Sequence, residues 1–159
     1  MLLARAQKAQ NKVEAIDSYA NWLSIHTGDA NPQGIFEFAQ VLERAGHYAR
    51  ALEQIEEAYE ALTQDRATLT RAMLQFEKAR LLLALDPENP DGMAEFNRAI
   101  EAGFSDTDAM EAILYDERIT RDNRDEIRRI WNNILIRARE DAEQETEDED
   151  EEEGENEEP

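Results

Sequence analysis

The sequence predicts an all-α fold, and three observations predict it. Apolar residues recur with a helical period, while no run alternates as a half-buried strand would. Ala, Leu, Glu, Arg and Gln, all good helix formers, dominate the chain. The six glycines and four prolines are few, and most fall between the periodic segments, at Gly28, Asn31-Pro32, Gly46, Asp86-Pro87, Asn89-Pro90 and Gly103.

These breaks delimit helices over residues 2–9, 12–27, 32–45, 48–63, 66–85, 90–102, 106–115 and 122–143. Asn31-Pro32 and Asn89-Pro90 each read as an N-cap followed by proline in the first helical position, where its missing N–H costs nothing. Gly28, Gly46 and Gly103 follow periodic stretches, as helix C-terminal glycines do. Ser105 reads as the N-cap of the helix over 106–115, with Asp108 as its partner three residues on. Short connections make neighbours antiparallel. Helices this short cannot bury their apolar faces alone, so they must stack.

Three of these helices carry one pattern. Ala15, Tyr19 and Trp22, then Ala51, Ile55 and Ala58, then Gly92, Phe96 and Ala99 have the same spacing, and the copies begin 36 and then 41 residues apart. Small residues let a neighbouring helix approach, and large ones fill the groove between. The middle copy adds Ala39, Leu42, Gly46 and Tyr48, with Ala45-Gly46-His47-Tyr48-Ala49-Arg50-Ala51-Leu52 as its inter-helix turn. In this the chain resembles the tetratricopeptide repeat family, over about residues 1–103. The outer copies depart from the family pattern, since Asp86-Pro87-Glu88-Asn89-Pro90-Asp91 replaces the glycine turn in the third. The resemblance implies a short right-handed superhelix of about three helix pairs over residues 1–121, closed by a capping helix over 122–143. That helix carries Ile127, Ile130, Trp131, Ile134 and Ala138 on one stripe.

The resemblance also implies a concave groove lined by the first helix of each pair. Its positions fall on Phe36, Gln40 and Arg44, and on Phe76 and Arg80. Two aromatic rings and two guanidiniums there suit a peptide partner through packing and carboxylate pairing. The Lys and Asn with which some family members grip a terminal carboxylate are not at the matching positions. The implied function is a scaffold or adaptor that binds another protein or peptide.

Charge separates a different region. The chain holds 38 acidic and 17 basic residues, and fourteen of the acidic ones lie in residues 140–159 beside no Lys or Arg. Such a self-repelling block cannot form a core, so residues 144–159 are expected to be a disordered acidic tail. Just before it Arg121, Arg124, Arg128 and Arg129 make the last helix locally basic. Either the tail folds back on these arginines and competes with an acidic partner, or the arginines are a solvated face.

The balance as a whole disfavours nucleic acid and anionic membranes, which need a basic footprint. A basic partner fits it better. The absence of cysteine removes thiolate and disulfide chemistry, and no apolar run reaches the length of a membrane span. A cytoplasmic protein is expected, or an exported bacterial protein whose signal has been removed. His26 and His47 have no motif-spaced partners. The loop from Asp86 fails as a calcium loop, having Asp91 at its sixth position and Asn97 at its twelfth. With no phosphate-cradling loop or nucleophile elbow either, no enzyme, metal or cofactor is expected. Two other functions fit the residues: an acidic chaperone or charge mimic working through the tail, and a structural subunit of a larger assembly. The first copy begins partway through its leading helix, and a helix-stacking surface exposed at that end invites self-association or a neighbouring domain.

Overall fold

The structure is a computed structural model, and it describes residues 4–5, 14–25 and 31–155 of the chain. Most of the helix expected over 2–9, and His26 and Gly28, lie outside the described residues. Among those described the fold is all-helical: α1 (Glu14–Ile25), α2 (Pro32–Arg44), α3 (Tyr48–Ala61), α4 (Arg71–Leu85), α5 (Pro90–Glu101), α6 (Thr107–Leu114) and α7 (Arg121–Glu155). None of them is long and apolar enough to cross a membrane. The chain divides between Thr120 and Arg121 into two compact units.

In the first unit α1 packs on α2, α2 on α3, α3 on α4, and α4 on α5. Burial sorts these helices into two kinds. In α3 the buried residues are Ala51, Ile55 and Ala58, a single stripe spaced four and then three apart. The buried residues of α5, Gly92, Phe96 and Ala99, repeat that stripe, and α1 buries Ala15 and Tyr19. By contrast α2 buries Ile35, Phe36, Phe38, Ala39, Val41 and Leu42, and α4 buries Leu74, Phe76, Ala79, Leu81 and Leu83. Such runs cover more than one face of a helix. Therefore α2 and α4 are inner helices, while α1, α3 and α5 lie outside them with one face in solvent.

The helix ends follow local chemistry. Asn31 Oδ1 accepts from Gln33 N at 3.1 Å and Gly34 N at 3.4 Å, and Asn89 Oδ1 accepts from Asp91 N at 2.9 Å. Gly46 and Gly103 take positive φ, 81° and 87°. At each, two N–H groups return to the last turn: His47 to Leu42 O and Gly46 to Glu43 O, then Phe104 to Ala99 O and Gly103 to Ile100 O. The second closure carries Phe104 into the core, where its ring stacks on Phe76 at 4.0 Å between centroids.

Three of the boundaries that differ from the sequence expectation have a visible local cause. The helix expected from 66 begins at Arg71, because Thr70 caps it by accepting from Met73 N at 3.1 Å. Ahead of it Arg66 and Leu69 pair backbone to backbone, and Asp65 accepts from Arg71 N at 2.8 Å. This closed turn lets Leu69 be fully buried, which a helix through 66–69 would not. The N-cap of α6 is Asp106, accepting from Ala109 N at 3.0 Å, one residue beyond Ser105. The last helix, expected to end at 143, continues to Glu155 through the stretch expected to be disordered. Glu, Gln and Ala are all good helix formers and no proline interrupts them, so local propensity prevails over the mutual repulsion of the carboxylates.

Close approach of α5 to α4 is made at Gly92. A Cβ there would lie 2.8 Å from Leu83 Cγ and Cδ2 and 3.3 Å from its backbone nitrogen. Leu83 is fully buried and cannot swing clear. Gly92→Ala should therefore lower unfolding stability by about 1 kcal/mol in urea, since overpacking costs about 1–3 and the better helix former returns about 1. A more stable variant would contradict this packing.

Candidate functional site

On α2 the helical period sets Gln40, Glu43 and Arg44 on one face, and on α4 it does the same for Glu77 and Arg80. These five residues, with Tyr48 from the start of α3 and Arg118 from the segment after α6, line an open cleft of about 470 Å³. The cleft is polar, and its floor is an ion-pair network.

Arg80 is the centre of that floor. Its two terminal nitrogens donate to the two oxygens of Glu43, each at 2.5 Å, in a bidentate pair between helices. It also donates to Glu77 one turn earlier, through Nε at 3.0 Å and Nη2 at 2.6 Å. Arg118 reaches the same Glu43 from 75 residues away, donating through Nη2 at 3.2 Å. Its Nε donates to Asp116 Oδ1 at 2.8 Å, and its guanidinium lies 4.6 Å from the centre of the Tyr48 ring. Three carboxylates thus share two guanidiniums.

That imbalance shows in their protonation. Burial pushes Glu43 upward, but the hydrogen bonds and charge of Arg80, and then of Arg118, outweigh it and hold the carboxyl below its ordinary value. Asp116 is likewise depressed: burial opposes, and Arg118 followed by Arg80 prevail. Glu77 goes the other way. Burial raises it, Arg80 only partly offsets that, and the nearby charges of Glu43 and Asp106 add to the rise.

Of the groove residues expected from sequence, the structure brings Gln40, Arg44 and Arg80 to the cleft. It does not bring Phe36 and Phe76, which are 3% and 0% exposed in the core. The correction has a simple cause: helices buried on several faces turn to the core positions that a one-faced helix would turn outward. Arg80 is half-buried and already carries two carboxylates, so it builds the floor instead of waiting for a ligand. Arg44 is exposed. Glu43, Glu77, Tyr48, Asp116 and Arg118 were not anticipated as site residues. Glu43 and Glu77 share helical faces with Gln40 and Arg80, a signal present in the sequence, whereas nothing local points from Arg118 to Glu43.

Three of the basic residues of α7 pair within their own helix. Arg128 pairs with Asp125 at 2.7 Å, Arg129 with Glu126, and Arg121 lies 3.6 Å from Asp125, all within one turn of the same helix. Over the described residues α7 is one continuous helix as far as Glu155. At 1.5 Å per residue the acidic run starting near Glu145 begins about 24 Å along the axis from Arg129. Among the described residues Arg124 makes no such pair.

No family model, no curated protein and no solved structure matches this chain.

Two outcomes follow from the network. Arg80→Ala leaves Glu43 and Glu77 without their shared cation in a half-buried place, and should cost about 2–4 kcal/mol in chemical unfolding, near the range for breaking a buried pair. The pH dependence separates the carboxylates. Glu77 binds its proton more tightly folded than unfolded, so its contribution is complete below its ordinary 4.5 and is lost as pH rises through the raised folded value. Glu43 and Asp116 contribute above their ordinary 4.5 and 3.8, and lose that as pH falls through their depressed folded values. Wild type should therefore gain stability relative to Glu77→Gln as pH falls from neutrality toward 4.5. Parallel unfolding curves at several pH values measure this.

Proposed function

We propose that this chain is a tetratricopeptide-like adaptor: a short right-handed superhelix, without catalytic activity of its own, that binds a partner polypeptide in the cleft between α2 and α4. The observation that carries this reading is the meeting of Gln40, Arg44 and Arg80 on one open polar face. These are the three polar residues that the family resemblance assigns to a groove. The face is made by the inner helices, and its floor is cross-linked by ion pairs, so a partner meets a preorganised surface at little entropic cost. Recognition is polar. Arg44 offers an exposed guanidinium for a carboxylate, Gln40 lines the cleft beside it, and Tyr48 supplies the aromatic wall in place of Phe36 and Phe76.

The competing reading, partner capture by the acidic end of α7, makes different demands. Binding by a run of like charges is nonspecific in geometry and strongly screened by salt.

The test uses the full chain as bait in parallel with a Gln40→Ala/Arg44→Glu variant and a variant lacking residues 144–159. Captured partners are quantified at about 0.15 M and about 0.5 M salt. The cleft reading expects partners that survive the deletion and the higher salt and are lost on the double substitution. Partners lost on deletion and kept by the double variant would transfer the function to the acidic helix.

A further inference from the structure

Arg118 stands in the cleft in the manner of a bound ligand. It belongs to the segment between α6 and α7, far along the chain from the helices it meets. Its contacts fall into two sets. The first is local: the backbone N–H of Arg118 donates to Asp116 Oδ1 at 3.0 Å, and its side chain donates to the same carboxylate. The second is long-range and consists of Glu43 at 3.2 Å and the face of Tyr48 at 4.6 Å.

The long-range set is a complete receptor for a guanidinium. Glu43 supplies a carboxylate held ionised by Arg80, and Tyr48 supplies an aromatic face fixed by its packing against the core. A planar cation that hydrogen-bonds along its edge and stacks on its face satisfies both at once, which an ammonium does not. Arg118 itself is 32% exposed at the border of the open cleft. It can turn outward with Asp116 still paired, giving up only one 3.2 Å bond and one ring contact. An incoming arginine replaces these like for like. The remaining charges at the corner are Arg80, which is saturated by Glu43 and Glu77, Asp116, which holds Arg118 and lies 4.0 Å from Arg80, and exposed Arg44. The chain's net charge of −21 draws basic segments toward it.

We infer that the Glu43–Tyr48 corner is a guanidinium-binding site filled in cis by Arg118, and that an arginine-bearing segment of a basic partner docks there by displacing it. This rests on the cleft being the binding face, and it names the chemistry that the cleft selects. Arg118 then sets the threshold for binding, since only a segment held by other contacts as well can displace a tethered competitor.

The probe is a fluorescent, end-blocked peptide of glycine and serine with three arginines, and a counterpart with three lysines. Both are titrated with the full chain at about 0.15 M salt, where the acidic end of α7 gives the same background to every variant. Arg118→Ala and Arg118→Gln should each bind the arginine peptide roughly tenfold more tightly than wild type, the strength of one ion pair and one cation–π contact removed from competition. The lysine peptide should gain little, and adding Tyr48→Leu to Arg118→Ala should abolish the gain. In wild type, saturation with the arginine peptide should shift the NMR signals of the Tyr48 ring and the Arg118 side chain. Equal affinity of wild type and both Arg118 variants, an equal gain for lysine, or unmoved Tyr48 and Arg118 signals would each overturn the inference. If Gln40→Ala/Arg44→Glu still loses its polypeptide partner while neither Arg118 variant gains arginine affinity, the cleft remains the binding face and the guanidinium site alone falls.

Discussion

Glu43 holds three parts of the first unit together with one carboxylate. From α2 it accepts both terminal nitrogens of Arg80 on α4 and one of Arg118 from the segment beyond α6. Pairs of this kind are worth little when fully exposed and are costly to break when half-buried, because the survivor keeps its desolvation penalty. Glu43 and Arg80 sit in that second regime, at 18% and 14% side-chain exposure. The pair therefore does more to fix the relative placement of α2 and α4 than to add net stability.

Apolar packing provides the stability. The outer helices each press a stripe of small residues and one large residue inward, and the inner helices receive them on more than one side. Gly92 is the tightest instance, with Leu83 where a side chain would be. This arrangement consumes the aromatic side chains: Phe76 is held between Phe96 and Phe104, and Phe38 stacks with Tyr19. Consequently the open face of α2 and α4 is polar. The cleft presents guanidiniums, carboxylates and a single tyrosine ring, without the apolar anchors that dominate many interfaces.

The opposite end of the first unit is pinned in a similar way. Arg5 makes a bidentate pair with Glu37, whose second partner is the hydroxyl of fully buried Tyr19 at 2.8 Å. Burial, joined by the Glu37 charge, pushes that phenol well above its ordinary range, so it remains a donor at any physiological pH. In α7 charge is handled differently: arginines pair with Asp125 and Glu126 of their own helix, and the acidic residues follow in sequence and in space.

How much of this was legible in the sequence depended on the range of the interaction. The caps at Asn31 and Asn89 and the glycine turns at Gly46 and Gly103 involve atoms within about one turn, so residue type and position sufficed to locate them. The stripes Ala51, Ile55, Ala58 and Gly92, Phe96, Ala99 were legible for the same reason, since an outer helix has one buried face and its period reports it. The start of α4 was not, because a turn over 65–70 closed by Asp65 and Leu69 competes with a sequence that suits a helix equally well. The core placement of Phe36 and Phe76 is not legible in the sequence, because a helix buried on several sides has no period that separates core from groove. Sequence by itself determined the described helices and most of their ends, and the family pattern pointed to the polar residues Gln40, Arg44 and Arg80 that share the open face. Only the tertiary structure decided which charges meet, since Glu43 and Arg118 are 75 residues apart and their pairing is set by how the helices stack.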